Sequence, residues 1–111
     1  MNAALFISTH CHFCVDSAPF YRQVADAQHG HLTEVALSVL SVESAGEMKE
    51  FLLKEHIAVD RVYQVPSSIG LRGTPTLLIV DANGIVQRAF VGVLDESRQH
   101  EVLQIIRTGE L

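Results

Sequence analysis

Residues 73–84, Gly-Thr-Pro-Thr-Leu-Leu-Ile-Val-Asp-Ala-Asn-Gly, constrain the fold of this chain more than any other stretch. Thr76 to Val80 is an apolar run of strand length, far too short to span a membrane. Asp81-Ala82-Asn83-Gly84 follows as a turn, since Asn and Gly tolerate positive φ. Residues 85–91 then return as an antiparallel partner. A tight hairpin therefore closes one side of the sheet. Upstream, short apolar segments alternate with helix-like ones, and this pattern requires parallel strands joined by helical crossovers. The sheet is thus expected to be mixed.

The remaining elements follow from periodicity and caps. Residues 3–8 read as a buried strand, and residues 12–29 as a helix with Val15, Ala18, Tyr21, Val24 and Ala25 on one face. Pro19 should bend this helix, because it lacks an N–H and clashes with the preceding turn; Gly30 closes it. Residues 33–40 read as a second strand. Ser44-Ala45-Gly46-Glu47 fits a capping box opening a helix to about His56, with Met48, Phe51 and Leu52 inward. Residues 61–65 suggest a short edge strand and 66–70 a single turn. Asp95 caps a last helix over 96–107 that buries Val102, Leu103 and Ile106 and stops before Gly109. The order β-α-β-α-β-β-α gives an α/β fold: one domain over residues 1–111, with a mixed four- to five-stranded sheet flanked by helices.

Composition narrows the function. With 111 residues, 48% hydrophobic and 19% charged, the chain suits one packed domain. A net charge of −5 and the lack of any basic run argue against a nucleic-acid partner. Only two cysteines are present, three positions apart, which is too few for a disulfide scaffold and points to a redox pair or half a metal site.

The chemistry concentrates at Cys11-His12-Phe13-Cys14. Thiol–disulfide exchange needs a thiolate nucleophile and a second thiol that can close onto the first sulfur. Two intervening residues at a helix start bring the sulfurs within bonding reach. Cys11, at the first turn, sits where free amides favour negative charge, and Cys14 lies a turn deeper. Cys11 is therefore the expected attacker and Cys14 the resolving thiol. Protonated His10 and His12 flank Cys11 and are expected to lower its pKa. Downstream, a cis bond between Thr74 and Pro75 would turn the Thr74 backbone outward, free to pair with an extended peptide beside Cys11.

Together these motifs resemble the thioredoxin superfamily over nearly the whole chain, and residues 70–84 look most like the TlpA/ResA-type redoxins of bacteria. The resemblance implies a thioredoxin fold, Cys11 as nucleophile, Cys14 as resolving thiol and Pro75 as the cis-proline, with Phe13 and Thr74 beside it in substrate binding. It implies protein thiols and disulfides as substrates, an upstream redox partner, a reducing direction and no cofactor. Pro19, eight positions after Cys11, matches the helix-bending proline of many thioredoxins. The departures are also clear: no tryptophan is present, His-Phe separates the cysteines, and Leu5 stands where thioredoxins bury an aspartate.

Two other readings compete. A non-catalytic module could keep the fold and use the cis-proline groove for peptides. A zinc or copper site could draw on His10, Cys11, His12 and Cys14, although structural zinc usually wants two separated ligand pairs. The N-terminal residues form no signal peptide. The expectation is therefore a cytoplasmic protein or an exported one freed of its leader or anchor, monomeric at this size.

Overall fold

The computed structural model describes residues 1–30, 35–69 and 73–111. Its elements are β1 (Asn2–Phe6), α1 (His12–Asp16), α2 (Ala18–Gly30), β2 (Ala36–Ser41), α3 (Ala45–Lys54), β3 (Arg61–Gln64), a 3-10 turn (Ser67–Ile69), β4 (Thr76–Val80), β5 (Val86–Val91) and α4 (Glu96–Thr108). The first two residues of the strand expected over 33–40, and Gly70 to Arg72 of the motif around Pro75, lie outside the described residues.

The five strands form one mixed sheet in the order β3-β2-β1-β4-β5. β1 lies at the centre, parallel to β2 with Leu5 opposite Val39, and antiparallel to β4 with Leu5 opposite Leu77. The expected edge strand is present as β3, parallel to β2, and makes the fifth strand. The β4–β5 hairpin is the one read from the sequence. The Asp81 carboxylate accepts hydrogen bonds from the amides of Asn83 (2.9 Å) and Ile85 (3.0 Å), and Gly84 takes φ +81°. A register shift at Ile79/Val80 accommodates one extra residue of β5.

Alternation along the strands sends Ala3, Leu5, Leu37, Val39, Leu77, Ile79 and Phe90 to one face, all but excluded from solvent. They join Val24 and Ala25 of α2, Met48 and Leu52 of α3, and Val102 and Ile106 of α4 in one continuous core. The opposite face carries smaller, half-exposed residues such as Ala4, Ala36 and Ser38. The caps behave as read: Ser44 Oγ accepts from the Glu47 amide, the Asp95 carboxylate from the Arg98 amide, and Gly109 ends α4 at φ +68°.

One element differs in kind. The expected helix over 12–29 is interrupted at Ser17, which separates α1 from α2. Pro19 has no N–H to offer the Val15 carbonyl, and its ring crowds that carbonyl. The ladder stops, the Ser17 amide bonds back to Phe13 O (3.0 Å), and α2 restarts with Pro19 in its first turn, where an N–H is not needed.

Candidate active site

The loop leaving β1 delivers Cys11 to the N-cap of α1, in extended backbone at φ −97° and ψ 113°. Its sulfur takes the place of a capping oxygen: Sγ accepts the Cys14 amide at 3.1 Å. Cys11 is half-buried, and Cys14, one turn deeper, is 1% exposed. Both are thiols. Since α1 has only five residues, the support for negative charge at Cys11 is local rather than the dipole of a long helix.

The two thiols are driven apart electrostatically. Burial opposes ionisation of Cys11, but hydrogen bonds from the Cys14 thiol, the Thr74 hydroxyl and the amides of Cys14 and Phe13 outweigh it, so its pKa lies below the ordinary thiol value. Burial pushes Cys14 up to about 12, reinforced by its hydrogen bond to Cys11 and the charge there, and opposed by the Ser8 backbone and the Thr74 side chain. The two thiols are thus distinguished by environment, the one at the helix start lowered and the deeper one raised.

The register between β1 and β4 places Thr74 near the cysteine pair, where its side chain lowers the pKa of both thiols. Phe6 pairs with Thr76, so extending both chains by two residues brings Thr74 alongside Ser8 and the cysteine loop. The Thr74–Pro75 peptide bond is cis. The Pro75 carbonyl accepts from Gly92 N at 2.8 Å, whereas the Thr74 amide and carbonyl have no backbone partner among the described residues. Phe13 stands beside the pair, 57% exposed.

The flanking histidines take different positions. His12 Nε2 lies 3.3 Å from Asp16 Oδ2, and its ring meets Phe13 edge-on at 5.8 Å, out in solvent. His10 turns toward α3, lining a shallow cleft with Thr9, Glu47 and Phe51, and its charge acts on Glu43. Among the described residues no three His, Cys, Asp or Glu side chains converge as metal donors. Leu5 is fully buried, so an apolar side chain occupies the position that an aspartate holds in thioredoxins.

Glu43, at the end of β2, carries no signal in the sequence yet holds the cysteine loop. Its Oε1 accepts from Ser8 Oγ (2.6 Å) and the Thr9 amide (2.9 Å), and its Oε2 accepts from the Thr9 hydroxyl. The contact joins residues 35 apart in sequence. Parallel pairing of β1 and β2 makes it, and no local motif announces it.

Comparison with known proteins agrees with this geometry. Residues 4–106 match the Redoxin family model. No curated protein is significantly similar to the chain. Among solved structures, the chain is similar to a thiol:disulfide interchange protein of the thioredoxin family from Chlorobium tepidum, with TM-score 0.72 and 19% identity over 96% of this chain and 79% of that one. It is also similar to a secreted Mycobacterium tuberculosis disulfide oxidoreductase homologous to E. coli DsbE (TM-score 0.70, 16% identity, 93% and 79% covered) and to a putative thioredoxin from Neisseria meningitidis (TM-score 0.72, 13% identity, 95% and 73% covered). At these identities the similarity shows a shared fold. No helix among the described residues is long and apolar enough to cross a membrane.

Proposed function

Since the chain belongs to the Redoxin family, we propose that it is a thiol–disulfide oxidoreductase that reduces protein disulfides through Cys11 and Cys14. The observation that carries this reading is the asymmetry of the pair: a half-buried N-cap thiol lowered by converging donors, and a buried thiol raised to about 12 one turn away. That is the division of labour exchange requires, because the thiolate attacks and the second thiol must stay protonated until it is needed.

In the forward direction the Cys11 thiolate attacks one sulfur of a substrate disulfide. The S–S bond breaks, a mixed disulfide forms at Cys11, and the other substrate sulfur leaves as a thiolate. Bond formation consumes the Cys11 charge and with it two of the influences that hold the Cys14 proton in place. Cys14 then ionises, its proton passing to the departing substrate thiolate. It attacks Cys11 Sγ and releases the second substrate thiolate. The substrate gains two electrons, Cys11 and Cys14 are left as a disulfide, and an upstream dithiol partner restores them. No cofactor enters the sequence.

The substrate lies along Thr74 and Pro75, where the Thr74 amide and carbonyl, without a backbone partner among the described residues, offer strand-like hydrogen bonds and Phe13 offers an apolar contact. His10 and His12 add positive charge around Cys11 when protonated. Catalysis of this kind distinguishes the protein from a binding module that merely retains the fold. The test is trapping: Cys14→Ala should accumulate a mixed disulfide with protein substrates through Cys11, released by reductant. Cys11→Ala should trap nothing. Equal trapping by both variants, or by neither, would sink the assignment of roles.

A further inference from the structure

Among the described residues, the half-buried carboxylates, the histidines outside the cysteine loop and the sheet's half-open face suggest no ligand. Glu43 does suggest a role. We propose that Glu43 is a positioning residue of the redox site: from the end of β2 its carboxylate clamps Ser8 and Thr9, and so fixes the turn that presents Cys11 as the N-cap of α1. The inference rests on the redox reading of Cys11 and Cys14 above and adds a residue to it.

The clamp is a connected set of hydrogen bonds. Ser41 Oγ accepts from the Glu43 amide at 3.1 Å and sets the backbone that projects the side chain. The carboxylate receives both hydroxyls of Ser8 and Thr9 together with the Thr9 amide. Ser8 passes the constraint on: its Oγ accepts the His10 amide at 3.2 Å and its carbonyl accepts the Cys11 amide at 3.3 Å. Ser8, Thr9 and His10 are therefore tied, directly or through one neighbour, to Glu43, while Ile7 bonds back to Leu40. Ser8 also lends its backbone to the Cys14 sulfur, so displacing it disturbs both thiols.

The carboxylate is ionised over the working range. Burial opposes its charge, but the Ser8 and Thr9 hydroxyls, the Thr9 amide and the nearby His10 hold its pKa below the ordinary value. Charge-assisted bonds of this kind are about twice as strong as neutral ones. A carboxylate therefore grips the loop more firmly than an amide or hydroxyl would.

Positioning and simple electrostatics predict opposite signs, and this makes the proposal testable. A negative charge near a thiolate disfavours the thiolate, so removing it should lower the Cys11 pKa if charge were all that mattered. Removing the clamp should raise the pKa, because the N-cap geometry that brings the Cys14 amide and Thr74 hydroxyl to Sγ relaxes. The experiment measures the pH profile of Cys11 alkylation in Glu43→Ala, Glu43→Gln and Ser8→Ala, with the Cys11–Cys14 disulfide equilibrium measured alongside. Glu43→Ala should raise the apparent pKa by about one unit, leaving about tenfold less thiolate at neutral pH. Glu43→Gln keeps one acceptor oxygen but loses the charge-assisted grip, and should raise the pKa by less than Glu43→Ala does. Ser8→Ala should move in the same direction as Glu43→Ala and carries the test if that variant does not fold. An unchanged or lowered Cys11 pKa in the folded variants overturns the proposal, even if they melt at lower temperature. If the parent protein forms no Cys11–Cys14 disulfide, the redox reading itself has failed, and the two failures are distinguishable.

Discussion

Replacing Thr74 by Val removes one hydroxyl from the cysteine pair while nearly conserving side-chain shape, so its consequence can be worked out in some detail. The Thr74 hydroxyl supports the charged form of both sulfurs. A hydrogen bond to a charged group contributes about 1.5–3 kcal/mol net. Cys11 is half-buried and partly solvated, so the low end applies, about 1.5 kcal/mol or about one pKa unit. The Cys11 pKa should therefore rise by about one unit, and Cys14 should move the same way. The thiolate stabilises the reduced protein, so losing it favours the disulfide. The reduction potential should become more negative by up to about 30 mV, the value of a tenfold change in a two-electron equilibrium. The assay is the rate of Cys11 alkylation across pH, read by mass, with the potential determined in thiol buffers and the fold checked by circular dichroism. A folded Thr74→Val protein whose Cys11 pKa is unchanged or lower would refute the reasoning, because it would show that the donors at Sγ do not control its charge.

Two further predictions concern charge. The opposite shifts of the thiols shape the pH dependence of the reduced protein's stability. Cys11, lowered by hydrogen bonds that outweigh its burial, contributes stability above its ordinary value of 9.0 that is lost as pH falls through its folded pKa. Cys14, raised by burial, has the reverse sign: its contribution is present below 9.0 and is lost between there and about 12, because the unfolded thiol ionises first. The urea midpoint of the reduced protein, taken relative to the disulfide form, should fall above about pH 9; a rise through that window would contradict the assigned burial of Cys14. As for the histidines, His12 shares its charge with Asp16 in solvent and His10 shares its own with Glu43, so screening should leave each a weaker influence than Thr74. His10→Ala with His12→Ala should raise the Cys11 pKa by less than Thr74→Val does, and a larger rise would shift the credit from donors to charges.

What the sequence disclosed was whatever its local chemistry encodes. The β4–β5 hairpin, the caps at Ser44 and Asp95 and the cysteine pair at a helix start are each written within a few residues. They fall where the patterns place them, with ends shifted by one or two positions. The pair's asymmetry was also legible, because an N-cap and a buried turn are successive places in one short helix. The long-range contacts were not. Thr74 reads as a backbone element for substrate, and its side-chain influence on the thiols arises only once Phe6 stands opposite Thr76. Glu43 meets Ser8 and Thr9 only through the parallel register of β1 with β2. Pro19 marks a disruption in the sequence, and α2 restarts around it because its missing N–H falls in a first turn, where none is needed.

The redox equilibrium of the Cys11–Cys14 pair tests the central claim most directly. The protein would be equilibrated in graded dithiol and disulfide buffers, quenched with an alkylating agent and weighed, since no tryptophan is present to report the change by fluorescence. A reversible transition in which both cysteines are trapped or neither is, with a potential near that of thioredoxin at about −270 mV, is the expected result for a reductant of protein disulfides. A potential near about −120 mV would reverse the proposed direction of electron flow. Cysteines that remain alkylatable under every condition would contradict the account at its root.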